Sequence, residues 1–106
     1  EITTACIDNL NFKHPAFLND TVVLVGRVTY VGRTSMEVRV DTYVEELATG
    51  MRKMINRAYV VMVAIDEKGH AVPVPGLILE SPEQEAEWEG GKRRYELRKE
   101  RHREGF

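Results

Sequence analysis

A chain of 106 residues with a formal net charge of −2 has room for one small domain and not for two. The near-neutral balance excludes nucleic acid and anionic membrane as bulk electrostatic partners. No apolar run approaches the roughly 20 residues of a membrane span, and no basic start followed by an apolar stretch suggests a signal peptide. The single cysteine, Cys6, cannot form an internal disulfide; its small and apolar neighbours read as those of a buried thiol, which fits a reducing, cytoplasmic setting.

The chain opens without a methionine and already in strand-like composition, Glu1-Ile2-Thr3-Thr4. The expectation is that it enters its fold partway through. Ile2 to Leu10 reads as a short strand. Asn11-Phe12-Lys13-His14-Pro15 follows, with His14 biased to extended geometry by the proline after it. Asn19-Asp20 is a turn signal.

Thr21 to Val31 is a strong strand. Val22, Leu24, Gly26, Val28 and Tyr30 share one face, and Val23, Val25, Arg27, Thr29 and Val31 share the other. Both faces are largely apolar, which predicts a central strand covered on each side. Gly26 marks either a bulge or a close backbone approach. Gly32-Arg33 breaks the run, and Thr34 to Glu46 is a second long strand. There Met36, Val38, Val40, Thr42 and Val44 oppose Glu37, Arg39, Asp41, Tyr43 and Glu45, a half-buried alternation. After the turn Ala48-Thr49-Gly50, Arg52 to Ile65 is a further strand, closed by Asp66-Glu67-Lys68-Gly69. These three strands with short connections form an antiparallel meander.

Pro73-Val74-Pro75-Gly76 is a stiff extended linker. A helix starts at Ser81-Pro82-Glu83-Gln84, with Ser81 as N-cap, Pro82 at the first helical position and Gln84 at the third. Glu83, Glu85, Glu87 and Glu89 come early, and Lys92, Arg93, Arg94, Arg98, Lys99, Arg101 and Arg103 come late, the order that suits the helix dipole. Gly90-Gly91 is expected to weaken or split the helix. Its few apolar residues, Trp88, Tyr95 and Leu97, predict an exposed element with a frayed end. The meander then has an apolar face that this helix is too polar to cover. Bare aliphatic side chains each forgo roughly 1.5–3 kcal/mol of burial, so a segment ahead of Glu1 or another chain must cover it.

The run Val28 to Val38, with Gly32-Arg33-Thr34-Ser35 at its turn, resembles the corresponding hairpin of the acyl-CoA hydrolase branch of the hot-dog superfamily. Ile7-Asp8, Asn11-Phe12-Lys13-His14-Pro15, Asn19-Asp20, Ala58 to Asp66 and Val72-Pro73-Val74-Pro75 are similar to further blocks of that family, in the same order. The resemblance implies an α+β hot-dog fold, an antiparallel sheet meander wrapped around a central helix, with a polar C-terminal helix added. On this reading residues 1–80 form a thioesterase domain that lacks the family's N-terminal strand and central helix, and residues 81–106 form a charged helix and tail. It also implies dimers, assembled as trimers of dimers, with active sites between subunits.

Thioester hydrolysis needs a carboxylate to activate water or to attack, and donors to hold the oxyanion. In the resembled family these come from the central helix, so no catalytic residue is assigned to this chain. The candidate acyl-CoA contacts are Gly32, Arg33, Thr34 and Ser35: glycine permits a tight turn, arginine pairs a phosphate, and hydroxyls bond phosphate or pantetheine amides. From composition alone the same four residues read first as an ordinary hairpin turn with a solvated arginine, and the resemblance is what shifts the reading to contact with CoA. Asn11 and Phe12 border the thioester pocket of the resembled family; read locally, Asn11 closes an Asx turn and Phe12 is core. Asp8 and Asp41 read as solvated strand carboxylates. The basic stretch from Lys92 to Arg103 reads as a solvated face, the alternative being contact with the nucleotide end of coenzyme A. The three scattered histidines lack ligand spacing, and no metal or cofactor is expected, coenzyme A being part of the substrate. The activity implied is hydrolysis of fatty acyl-CoA to acid and CoA; the alternative is a non-catalytic acyl-CoA-binding module or assembly fragment.

Overall fold

A computed structural model describes residues 2–103, with the side chains of residues 8–12 and 102 outside the described set. Strands β1 (Ile2–Phe12), β2 (Thr21–Val31), β3 (Ser35–Glu45) and β4 (Arg52–Ala64) are followed by one helix, α1 (Pro82–Arg103). All strand pairs are antiparallel, in the order β1-β4-β3-β2. The meander β2-β3-β4 follows from its short turns. Gly50 and Gly69 sit in the left-handed region with φ near +73° and +81°, where a side chain would be strained. Asp66 closes the turn after β4, its Oδ1 accepting the N–H groups of Lys68 and His70.

Strand β2 lies at the edge of the described sheet, not at its centre. Its apolar residues on both faces are therefore not matched by cover on both faces, and Leu24 is 66% exposed. The irregularity in β2 falls at Thr29 rather than Gly26. Val28 pairs with Val38, but Tyr30 pairs with Glu37, leaving Thr29 as the extra residue. A bulge shifts the side-chain alternation by one. Tyr30 consequently joins the face of Glu37 instead of the face of Val28.

The sheet thus has one charged face and one apolar face, and α1 packs on the charged one. Across the sheet the row Val61–Glu37–Tyr30 lies beneath the helix. On the opposite face the row Ile7–Val60–Val38–Val28 stands open, with Ile7 59% and Val28 37% exposed. Among the described residues the buried apolar side chains are Ile55, Ala58 and Val61, whereas Thr29, Glu37, Asp41 and Asn56 are buried polar ones.

Helix α1 starts as the sequence predicts. Ser81 Oγ accepts the N–H of Gln84 at 3.2 Å, and Gln84 Oε1 accepts the N–H of Glu80 at 2.7 Å. The helix is neither split at Gly90-Gly91 nor a solvated appendage. Gly91 is buried at its closest approach to the sheet. A Cβ there would stand 2.4 Å from Tyr30 Cβ and 2.9 Å from Glu37 Oε1, so the glycine is what lets the backbone come down onto the strand.

Candidate functional site

The turn joining β2 to β3 is held from several sides. Gly32 N donates to Ser35 O at 2.9 Å, Val74 N to Arg33 O at 3.0 Å, and Ala64 N to Thr34 O at 3.0 Å. Three successive carbonyls, of Arg33, Thr34 and Ser35, are thereby satisfied by the linker, by β4 and by the turn's own Gly32. The Arg33 side chain points to solvent, and Thr34 and Ser35 are half-buried beside it. Arg33 forms no ion pair among the described residues. An exposed guanidinium on a pinned backbone, flanked by two hydroxyls, is a donor set suited to an anionic, hydrogen-bonding ligand.

Asn11 and Phe12 do not lie at this turn. Their backbones pair with Arg57 and Asn56, and Arg57 pairs with Asp41, while Ser35 pairs with Val63 at the other end of the sheet. The six residue steps from Ser35 to Asp41 span about 20 Å of extended strand. One chain therefore keeps the two candidate groups well apart. The side chains of Asp8, Asn11 and Phe12 are outside the described residues.

Beneath α1 is a polar cluster that the sequence reading missed. Glu37 is 1% exposed and accepts from Arg94 Nε at 2.7 Å and Nη2 at 2.8 Å, and from Thr29 Oγ1 at 2.6 Å. Arg98 Nη1 stands 3.8 Å from it. The fork-on-carboxylate geometry is the strong form of ion pair, and the hydrogen bonding of Arg94 to Glu37 is the main reason that its guanidinium is held above the usual arginine range. Arg94 also lies over the Tyr59 ring, 3.6 Å from its centroid. Next along β3, Arg39 pairs with Glu87 of the helix and lies 3.4 Å from Asp41. Asp41 is 4% exposed and is gripped by Arg57 at 2.7 and 3.3 Å, so it is not a solvated carboxylate. Tyr30 makes tilted ring contacts with Trp88 and Tyr95, whose ring centroids are 5.1 and 5.5 Å away. Burial, followed by the neighbouring Tyr95 and Glu96, pushes the Tyr30 phenol above its ordinary range.

The helix residues facing the sheet are Glu87, Trp88, Gly91, Arg94, Tyr95 and Arg98. They recur at the spacing of one helical face, but Trp88 and Tyr95 are the only large rings among charged residues and a glycine, with no aliphatic side chain, which hid the stripe from a search for hydrophobic periodicity. The signal that could have found it is charge complementarity at matching periods, Glu37-x-Arg39 on β3 against Glu87 and Arg94 on the helix. Cys6, expected to be buried, is exposed, because β1 is the sheet's other edge and Cys6 lines an open cleft beside Glu96, Arg98 and Lys99 of α1. Among the described residues no cluster of His, Cys, Asp or Glu could hold a metal ion, and no helix is long and apolar enough to cross a membrane.

A model of the thioesterase superfamily matches residues 1–51. The uncharacterized acyl-CoA thioester hydrolase YkhA of Bacillus subtilis is 39% identical over 84 residues, which cover 79% of this chain and 49% of the relative. This chain belongs to the thioesterase superfamily. Among solved structures, an apo-hexameric acyl-CoA thioesterase matches with a TM-score of 0.85 at 40% identity, over 95% of this chain and 65% of that one. An acyl-CoA hydrolase of Staphylococcus aureus, in complex with butyryl coenzyme A, coenzyme A and coenzyme A disulfide, gives 0.86 at 29% identity, over 98% and 63%. The fold is the α+β hot-dog fold of these thioesterases, and the four strands and α1 are the part of it that this chain supplies. The chain spans no more than about half the length of the first curated relatives it matches.

Proposed function

We propose that this thioesterase-superfamily chain works as part of an acyl-CoA thioesterase. Water adds to the thioester carbonyl of a fatty acyl-CoA, the carbon–sulfur bond breaks, and free acid and CoA thiol leave. The observation that carries the reading is the pinned, solvent-facing turn Gly32-Arg33-Thr34-Ser35 in a chain of this superfamily. In this reading Arg33 pairs a CoA phosphate, and the hydroxyls of Thr34 and Ser35 bond phosphate or pantetheine. Asn11 and Phe12 border the thioester end. The roughly 20 Å that separate them from the turn support a site completed between subunits, in a dimer that assembles further into trimers of dimers. The setting is the reducing cytoplasm, and the reaction uses no cofactor.

The catalytic acid is proposed to lie on a helix that covers the open apolar face and is not among these 106 residues. Two observations support this. The acids buried among the described residues, Glu37 and Asp41, are committed to arginines. The face carrying Val22, Leu24, Val28 and Ile7 is bare, and covering it would recover roughly 1.5–3 kcal/mol for each large aliphatic side chain.

A thiol-release assay across acyl lengths, run on the full-length protein and on the 106-residue chain, tests the reading. Turnover is expected from the first and none from the second; robust turnover by the isolated chain would overturn the placement of the acid. CoA binding without thiol release by the full-length protein would favour a non-catalytic acyl-CoA-binding module. Calorimetry on full-length Arg33→Ala should show CoA binding weakened about tenfold, about 1.4 kcal/mol; unchanged affinity would remove Arg33 from the site.

A further inference from the structure

Helix α1 reaches the candidate CoA turn through one aromatic ring. A Cβ built on Gly32 would stand 3.2 Å from Tyr95 Cε1 and 3.7 Å from Cζ, so the ring is packed against the backbone of the turn itself. Gly32 is not in the left-handed region, unlike Gly50 and Gly69. Its lack of a side chain is therefore explained by the space the ring takes, together with Ser35 Oγ, 3.2 Å from the same point. The ring is fixed in turn. Tyr30, two residues before Gly32, lies 5.5 Å from it, and Lys99 Nζ sits 5.1 Å over it. Arg94, the residue before Tyr95, is bound in bidentate fashion to the buried Glu37.

The sheet and the linker secure the turn's carbonyls, and Tyr95 presses on it from the helix side. We propose that Tyr95 is a positioning residue that holds Arg33, Thr34 and Ser35 in the conformation that meets the CoA end of the substrate. Tyr95 acts through the turn backbone and does not touch the reacting atoms. The inference rests on the reading that this turn contacts CoA. Binding groups held loosely lose part of their interaction to ordering entropy. When that loss is shared by the ground state and the transition state, it appears in KM and not in kcat.

The test uses steady-state thiol release by the full-length protein. Tyr95→Ala should raise KM for acyl-CoA about five- to tenfold with kcat within about twofold, and Tyr95→Phe should restore KM, because the ring and not the hydroxyl makes the contact. Gly32→Ala pushes a methyl group into the same ring and should raise KM in the same way. Coupled residues are not additive, so the double variant should be no worse than Tyr95→Ala alone. A merely structural role would lower the amount of active enzyme, and so the apparent kcat, and leave KM in place; that result, or full additivity of the pair, would overturn the proposal. If Tyr95→Ala does not fold, Gly32→Ala carries the same comparison. Arg33→Ala separates the two levels. An unchanged KM in that variant would sink the CoA-turn reading itself, whereas a raised KM there with Tyr95→Ala unaffected would sink only the role of Tyr95.

Discussion

The two faces of this sheet are covered in the opposite sense to their polarity. The face bearing Glu37, Arg39 and Asp41 lies under α1, and the face bearing Val22, Leu24, Val28 and Ile7 is open. Alternation along a strand shows that two faces differ, but not which partner each will meet. A charged face is buried when the covering element brings the complementary charges in bidentate geometry and the remaining lone pairs find donors. Both conditions hold at Glu37, which takes two bonds from Arg94 and one from Thr29. The apolar face asks only for shape and area, which no element among the described residues supplies.

The largest expected effect comes from breaking the charged face. Arg94→Ala leaves Glu37 buried, with Thr29 and the more distant Arg98 as its remaining partners. Loss of one member of a buried pair costs about 3–5 kcal/mol, and the low end is expected because Arg98 stands near. The denaturation midpoint should fall accordingly. Glu37→Met combined with Arg94→Leu should recover most of that loss, because neither charge is then stranded. If the double variant is as unstable as Arg94→Ala, the helix is held by charge pairing specifically and not by coverage in general.

A smaller effect separates the two glycines of α1. Replacing glycine by alanine inside a helix normally gains up to about 1 kcal/mol. At Gly91 the new methyl would collide with Tyr30 Cβ at 2.4 Å, and overpacking of this kind costs about 1–3 kcal/mol, so Gly91→Ala should lower the melting temperature. At Gly90 the nearest atom is Arg94 Nη1 at 3.3 Å. That nitrogen belongs to the planar guanidinium that Glu37 holds, but the contact asks it to shift by only a few tenths of an ångström, a cost that the gain in helix propensity offsets. Gly90→Ala should therefore be neutral or slightly stabilising in the same melts, and the same neutral or favourable outcome at Gly91 would show that the helix does not approach the sheet there.

These sites also show what the sequence could and could not reveal. Local rules found the meander, its turns and the capped start of α1, because each is written in neighbouring residues: Ser81 with Gln84, Asp66 with Gly69, and the alternation along β3. The resemblance around Gly32-Arg33-Thr34-Ser35 gave the fold and the candidate turn. The Thr29 bulge was not legible, since it depends on the pairing of β2 with β3 and turned Tyr30 to the helix side. Burial of Asp41 was hidden because Arg57 comes from another strand, and exposure of Cys6 because strand order, not local composition, makes β1 an edge. The docking of α1 was missed for a related reason: a stripe of Glu87, Gly91, Arg94 and Arg98 carries its helical period in charge and size rather than in hydrophobicity.

The smallest expected effect lies on the open face, and its smallness is the point. In the 106-residue chain Leu24 is 66% exposed, and substitution at an exposed strand position usually moves stability by no more than about 0.5 kcal/mol. Leu24→Thr keeps β propensity and removes apolar area that is already in water, so its unfolding midpoint should match that of the parent chain. In the full-length protein the proposed covering helix would bury the same side chain, and losing it there should cost about 1.5–3 kcal/mol. The contrast between the two backgrounds is therefore diagnostic in a way that neither measurement is alone. A loss confined to the longer protein places the cover over Leu24. Equal and negligible losses would leave β2 exposed in both and would remove the reason for placing the catalytic helix against this face.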